Sequence, residues 1–305
     1  MKFLDFVVLV MLFALLVAGM YLLWLNFPAE PTAFEDYVAN LSLNLPSQSS
    51  QFHPNMRYPE REITYFISQN CSRKKSNDFL DAVDFLERET ILSFKQSETP
   101  EILVTCSNVV AEPDEQGHFV AGEGGPSVII NATKYAVIML GRIGLYRAET
   151  CDTPQVATHE LLHALGFDHN NNESSIMYPI TSCDQVLDKD IVEEIRRLYS
   201  VPSAGDLVIE SVVANRAGRY LDFKAVISNY GLKEIQNSTL KVIIKNSVIR
   251  EFDTGGLDIG TKKSWTITDL RIPGDTPEIS LVIETNEEEI SESNNVAEIS
   301  VVRDS

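Results

Sequence analysis

The sequence predicts an α+β domain, a mixed twisted sheet with three helices, preceded by a membrane-spanning helix and followed by an all-β sandwich. Three observations predict it. Residues 6–25 carry no charge, strand and helix patterns interleave between about 58 and 201, and from 205 onward only strand-like runs remain.

Taken in order, the run from Phe6 to Leu25 is long enough, at about 1.5 Å per residue, to cross a hydrocarbon core of about 30 Å. It is expected to be a signal anchor (residues 1–25). Lys2 before it, and Glu30, Glu35 and Asp36 after it, place the bulk of the chain outside the cell; secretion after signal cleavage is the alternative. Residues 26–57, rich in Pro, Ser, Asn and Gln, read as a linker. Ile63–Ser68 reads as a strand, Asn77–Gln96 as a helix and Glu101–Thr105 as a second strand, which predicts a βαβ unit with parallel strands. Residues 111–126, dense in Gly and Pro, read as a loop. Ser127–Asn131 and Ala136–Tyr146 follow as apolar stretches, the second expected at the sheet edge, and Gln155–Leu165 and Lys189–Tyr199 as helices. The domain ends near Val201. Beyond it, Asp206–Val213, Tyr220–Ser228, Thr239–Lys245, Lys263–Leu270, Glu278–Glu284 and Val296–Val302 predict the sandwich, residues 205–305.

With 305 residues and 44% hydrophobic content, the chain can bury two cores. A formal net charge of −19 repels a phosphate backbone, so nucleic acid is excluded as a partner. The four cysteines, an even number in a chain expected outside the cell, read as two disulfides. Three connectivities are open. Cys71 with Cys106, and Cys151 with Cys183, is preferred, since the first pair follows two strands and the second brackets the histidine-bearing helix.

The chemistry is concentrated in His159-Glu160-Leu161-Leu162-His163-Ala164-Leu165-Gly166-Phe167-Asp168-His169. On a helix His159 and His163 lie one turn apart on one face, so two imidazoles can reach one ion. Gly166 can take a positive φ, ending the helix and returning His169 as a third ligand. Three protein ligands leave the fourth position of a tetrahedral zinc open to water, and Glu160 stands where it can take that water's proton. One catalytic Zn2+ is the expected cofactor. A calcium site, in 286–295 or among the acids of 111–123, is not supported.

HExxHxxGxxH followed by Ser175-Ile176-Met177-Tyr178-Pro179 resembles the metzincin clan of zinc peptidases, and the Met-Tyr-Pro form resembles the matrixin family in particular, as does Leu187-Asp188-Lys189-Asp190-Ile191 leading to Leu198-Tyr199. The resemblance covers residues 58–201. It implies an endopeptidase acting on proteins or peptides, with Met177 as an apolar floor beneath the zinc and Pro179 and Ile180 on the wall of the substrate pocket. It also implies that Ala136–Leu140 is the edge strand pairing with substrate. His53 and His118 are too few for a second, structural zinc site, and no cysteine precedes the domain to serve as a latency switch.

Asp206-Leu207-Val208-Ile209, Ile227-Ser228-Asn229-Tyr230-Gly231 and Ile290-Ser291-Glu292-Ser293-Asn294-Asn295 resemble the cell-adhesion-related (CARDB) domain of bacteria and archaea, an immunoglobulin-like module. That resemblance implies a spacer, or a module binding a surface partner. The rival to proteolysis is therefore a surface adhesion or scaffold protein that keeps the zinc fold for binding. The intact Glu160 argues against it.

Overall fold

The computed structural model describes residues 3–25, 31–40, 50–107 and 120–302. Helix α1, Phe3–Leu25, coincides with the uncharged run. Even so, no helix among the described residues is long and apolar enough to cross a membrane; the side chains described on α1 are those of 6–22, short of the expected span.

The expected linker is partly woven into the folded units. β1 (Thr32–Ala33) and β2 (Tyr37–Val38) both pair with residues of Leu207–Ala217, strand β9, and Phe34 is buried in the sandwich core. β3 (Met56–Arg57) adds to the other sheet. Polar composition suggested a spacer, but backbone pairing needs only unpaired ladder groups on a neighbour, whatever the side chains.

The first sheet consists of β3, β4 (Glu62–Ile67), β5 (Ser93–Gln96), β6 (Ile102–Cys106), β7 (Gly122–Asn131) and β8 (Ala136–Leu145), with α2 (Arg73–Glu89) between β4 and β5. Its order is β3-β8-β6-β4-β5; β7 lies antiparallel on β8 and the other pairings are parallel. The strands separated by α2, β4 and β6, are direct parallel neighbours. Ser72 caps α2, accepting from the Lys75 N–H, and at Thr90 the chain turns extended. The helix thus ends before residues 93–96, which form a strand that the long apolar pattern had concealed.

Two expectations are corrected here. Ala136–Leu145 is not an edge strand, because β6 and β3 pair along one side of it and β7 along the other. The edge is β7, which begins at Gly122 inside the expected loop. Glycine and proline read as breakers, yet an edge strand tolerates a proline that cannot donate to the ladder, and the register shifts next to Pro126 absorb it.

Helices α3 (Gln155–Ala164) and α4 (Lys189–Tyr199) complete this unit. Leu161 and Leu162 of α3, and Ile191 and Ile195 of α4, share one core with Phe79, Val83, Ile102 and Ile143. Disulfides join Cys71 to Cys106 and Cys151 to Cys183.

The second unit stacks two antiparallel sheets. One contains β9 (Leu207–Ala217), β10 (Tyr220–Asn229) and, beyond two strands of the other sheet in the chain, β13; the other is β11 (Thr239–Ile244) and β12 (Ser247–Asp253) with β14 and β15. The last three strands run Lys262–Arg271 (β13), Glu278–Glu284 (β14) and Val296–Ser300 (β15). β12, mostly exposed, lacked the alternation that revealed its neighbours. The units are joined by a small core in which Ala132 and Val137 meet Leu232, with Ile130, Tyr135, Ile259 and Ile290 around them. Lys134 Nζ donates to Asp206 Oδ2 at 2.7 Å, and Lys233 pairs with Glu60 at 2.6 Å.

Candidate metal centre and cleft

α3 presents His159 and His163 from successive turns, and Gly166, at φ +96°, breaks the helix. A side chain there would also collide with Met56, 2.6 Å from where its Cβ would stand. The chain then carries His169 back towards the other two rings. His169 Nε2 lies 3.2 Å from His159 Nε2 and 3.1 Å from His163 Nε2.

The opposite ring nitrogens settle the protonation pattern. His159 Nδ1 lies 2.6 Å from the Ile176 carbonyl and His163 Nδ1 2.7 Å from the Phe167 carbonyl. A carbonyl only accepts, so each Nδ1 carries the proton and each Nε2 presents a lone pair. Lone pairs facing one another at this distance repel unless a cation or a proton lies among them. Tetrahedral zinc, with Zn–N bonds of about 2.0–2.1 Å, sets its ligand atoms roughly 3.3 Å apart, so the donor set fits that ion. Among the described residues these three histidines are the one group able to hold a metal.

The Nδ1 acceptors are themselves held. Ser175 Oγ accepts from the Met177 N–H and the Asn170 side chain and donates to Asp188, which fixes the turn carrying Ile176. Met177 is wholly buried, and its carbonyl accepts the Asn170 N–H at 3.0 Å, tying the turn to the loop of His169.

Glu160 is 6% exposed. Burial first, and the charge of Glu123 second, push its carboxyl up to about 8. Burial likewise pulls His159 down to about 4 and lowers His163. Each group is driven towards its neutral form. For Glu160 the folded pKa lies above the unfolded one, so its contribution is fully present below the unfolded value near 4.5 and is lost as pH rises through 8. The histidines act in the opposite sense, losing stability as pH falls below their ordinary value near 6.5. In metal-free protein Glu160→Gln is therefore expected to raise the unfolding midpoint over wild type by an amount that grows from pH 5 and levels off above 8. Thermal unfolding in chelator across that range checks it, and a difference independent of pH would contradict the assignment.

Above Glu160 runs β7. A Cβ on Gly122 would stand 2.7 Å from Glu160 Cγ, and one on Gly124 only 2.1 Å from the Glu160 carbonyl oxygen. The bare face of Gly122-x-Gly124 is what lets the edge strand lie on the helix. Strand, helix and turn together frame an open cleft of about 1040 Å³, lined among others by Glu123, Glu160, the three histidines and Pro179 and Ile180. Cys151 and Cys183 lie on its rim, and Glu149, buried, accepts N–H groups of Thr150, Cys151 and Val156 to hold the approach to α3. His53 is exposed, whereas His118 and most of 111–123 lie outside the described residues. Sequence reasoning missed Phe52, whose ring stacks on His163 with centroids 5.6 Å apart, and Gly122 and Gly124. The glycines did leave a signal in their period of two; Phe52 left none.

The family model described as Matrixin matches residues 57–200. Interstitial collagenase B of Mus musculus is 33% identical over 79 residues, 25% of this chain and 17% of that protein. Stromelysin-2 of Rattus norvegicus is 40% identical over 62 residues, 19% of this chain and 13% of that protein. The chain thus spans less than a fifth of the length of these relatives. A solved CARDB domain from Pyrococcus furiosus, in complex with di-metal ions, aligns with 32% of this chain and 87% of its own at 17% identity and a TM-score of 0.27, too slight a likeness to carry an argument.

Proposed function

We propose that this chain is a zinc-dependent endopeptidase of matrixin type, with His159, His163 and His169 as the metal ligands and Glu160 as the proton carrier. The observation that carries the reading is the convergence of three imidazole Nε2 atoms, at the floor of an open cleft, beside a buried carboxyl from the helix that bears two of them. The match to the Matrixin family model over the same residues supports it.

Bound zinc would supply the Lewis acid that polarises a peptide carbonyl and acidifies the attacking water. The protein's own residues do the rest. Glu160, as its carboxylate, takes the proton from the attacking water and, as the acid so formed, delivers it to the departing amine nitrogen. The edge of β7 offers unpaired backbone groups to an extended peptide, so substrate binds by adding a strand. Pro179 and Ile180, on the cleft wall, contact the side chain beyond the scissile bond, and Met177 backs the histidines from within the core. The expected outcome is about one zinc per chain by elemental analysis, with cleavage of a denatured protein abolished by chelator and restored by zinc. No stoichiometric metal in purified protein would end this reading.

The outer cell surface, with α1 as the tether, belongs to the same proposal, supported by the uncharged run 6–25 and by the two disulfides. The full chain is expected to resist carbonate extraction from membranes; recovery in the soluble fraction counts against the tether.

A further inference from the structure

We propose that residues 50–56, which lie immediately before the matched stretch 57–200, are a working part of the metal centre, and that Phe52 is a positioning residue for His163. The inference rests on the reading of the three histidines as ligands.

The segment is fastened at both ends. At its C-terminal end Arg57, fully buried, donates to the carbonyls of Tyr58, Pro59, Leu198 and Val201 and lies over the Tyr199 ring. Met56 then fills the space left by Gly166. The Gln51 side chain closes the loop, its amide donating to the Met56 carbonyl at 2.6 Å while its oxygen accepts the Met56 N–H at 3.1 Å.

From there the segment reaches the turn between the second and third histidines. Gln51 bridges Phe167 antiparallel: the Phe52 N–H donates to the Gly166 carbonyl at 3.0 Å, and the Asp168 N–H to the Ser50 carbonyl at 2.8 Å. The residue between those two bonds is Phe167, whose carbonyl orients His163. One short strand pairing therefore sets both the acceptor that fixes the His163 ring and the start of the stretch leading to His169. Phe52 adds a direct contact, its ring stacked on His163 at 25° between planes although the side chain is 39% exposed. An aromatic ring left that open contributes little to a core; lying on the imidazole, it restricts the ring's rotation and covers one face from water.

Groups that orient metal ligands typically contribute about 10–100-fold to affinity. In the full chain, Phe52→Ala and Gln51→Ala are each expected to weaken zinc binding about tenfold in competition with a chromophoric chelator and to alter the visible spectrum of the cobalt-substituted protein. Phe52→Tyr is expected to restore both. Wild-type affinity and spectrum in the two alanine variants would overturn the proposal while leaving the three-histidine reading intact. A parallel fall in the unfolding midpoint of metal-free Phe52→Ala would assign the residue to folding instead, and overturn it as well. Failure of the wild-type chain to bind zinc would remove the underlying reading, and this inference with it.

Discussion

Glu160→Ala is expected to keep about one zinc per chain and to lose cleavage by about 10²–10⁴-fold, the range contributed by a positioned proton-transfer group. Both halves follow from the geometry. Glu160 is not among the three residues whose donor atoms converge, so its removal takes nothing from the ligand set. Its carboxyl sits buried beneath β7, lining the cleft with the three histidines, where it is placed to accept a proton from the attacking water and to donate it again. Glu160→Gln separates the proton from the shape, since the amide fills the same space without exchanging a proton; it too is expected to be inactive. Metal analysis beside single-turnover cleavage of an unfolded protein checks the pair. Retained cleavage in either variant removes Glu160 from the mechanism, and an inactive wild type that binds zinc favours the scaffold reading.

Lys134→Met is expected to destabilise the protein by about 2 kcal/mol, less than for a fully buried ion pair because the Lys134 side chain is 28% exposed. Asp206 is 0% exposed, and its carboxylate is held by Lys134 at 2.7 Å and by Asn294 at 3.0 Å. Methionine preserves the stem of Lys134 but leaves the carboxylate with one neutral donor. Because the two residues belong to different units, the loss falls on their junction, and the variant is expected to unfold in two steps where wild type unfolds in one. Asp206→Asn added to Lys134→Met is expected to recover part of the loss by removing the stranded charge. Calorimetry of the wild type and both variants tests this, and an unchanged midpoint would show that the pair contributes nothing.

The parts of the fold legible in the sequence were those with strong periodicity or a motif whose spacing has a mechanical reason. α3 and α4, the parallel pair β4 and β6, and most sandwich strands follow from apolar patterns that tertiary contacts reinforce. The convergence of His159, His163 and His169 follows from helical spacing and one glycine. What escaped was set by neighbours distant in sequence. β5 hid behind a helix pattern that continued past its true end at Thr90. β7 hid because Gly122 and Gly124 are demanded by the side chain and the backbone of Glu160, more than thirty residues later, rather than by a local turn. The pairing of 31–40 with β9, and of 50–57 with the first unit, used backbone groups that leave no compositional trace.

The antiparallel registers Thr32↔Arg216, Ala33↔Asn215, Tyr37↔Val212 and Val38↔Ser211 mean that α1 is fastened to the sandwich. In chain order the segment after α1 therefore meets the ladder of β9 before it reaches the unit that carries the histidines, so a force on that helix would be met first by the sandwich.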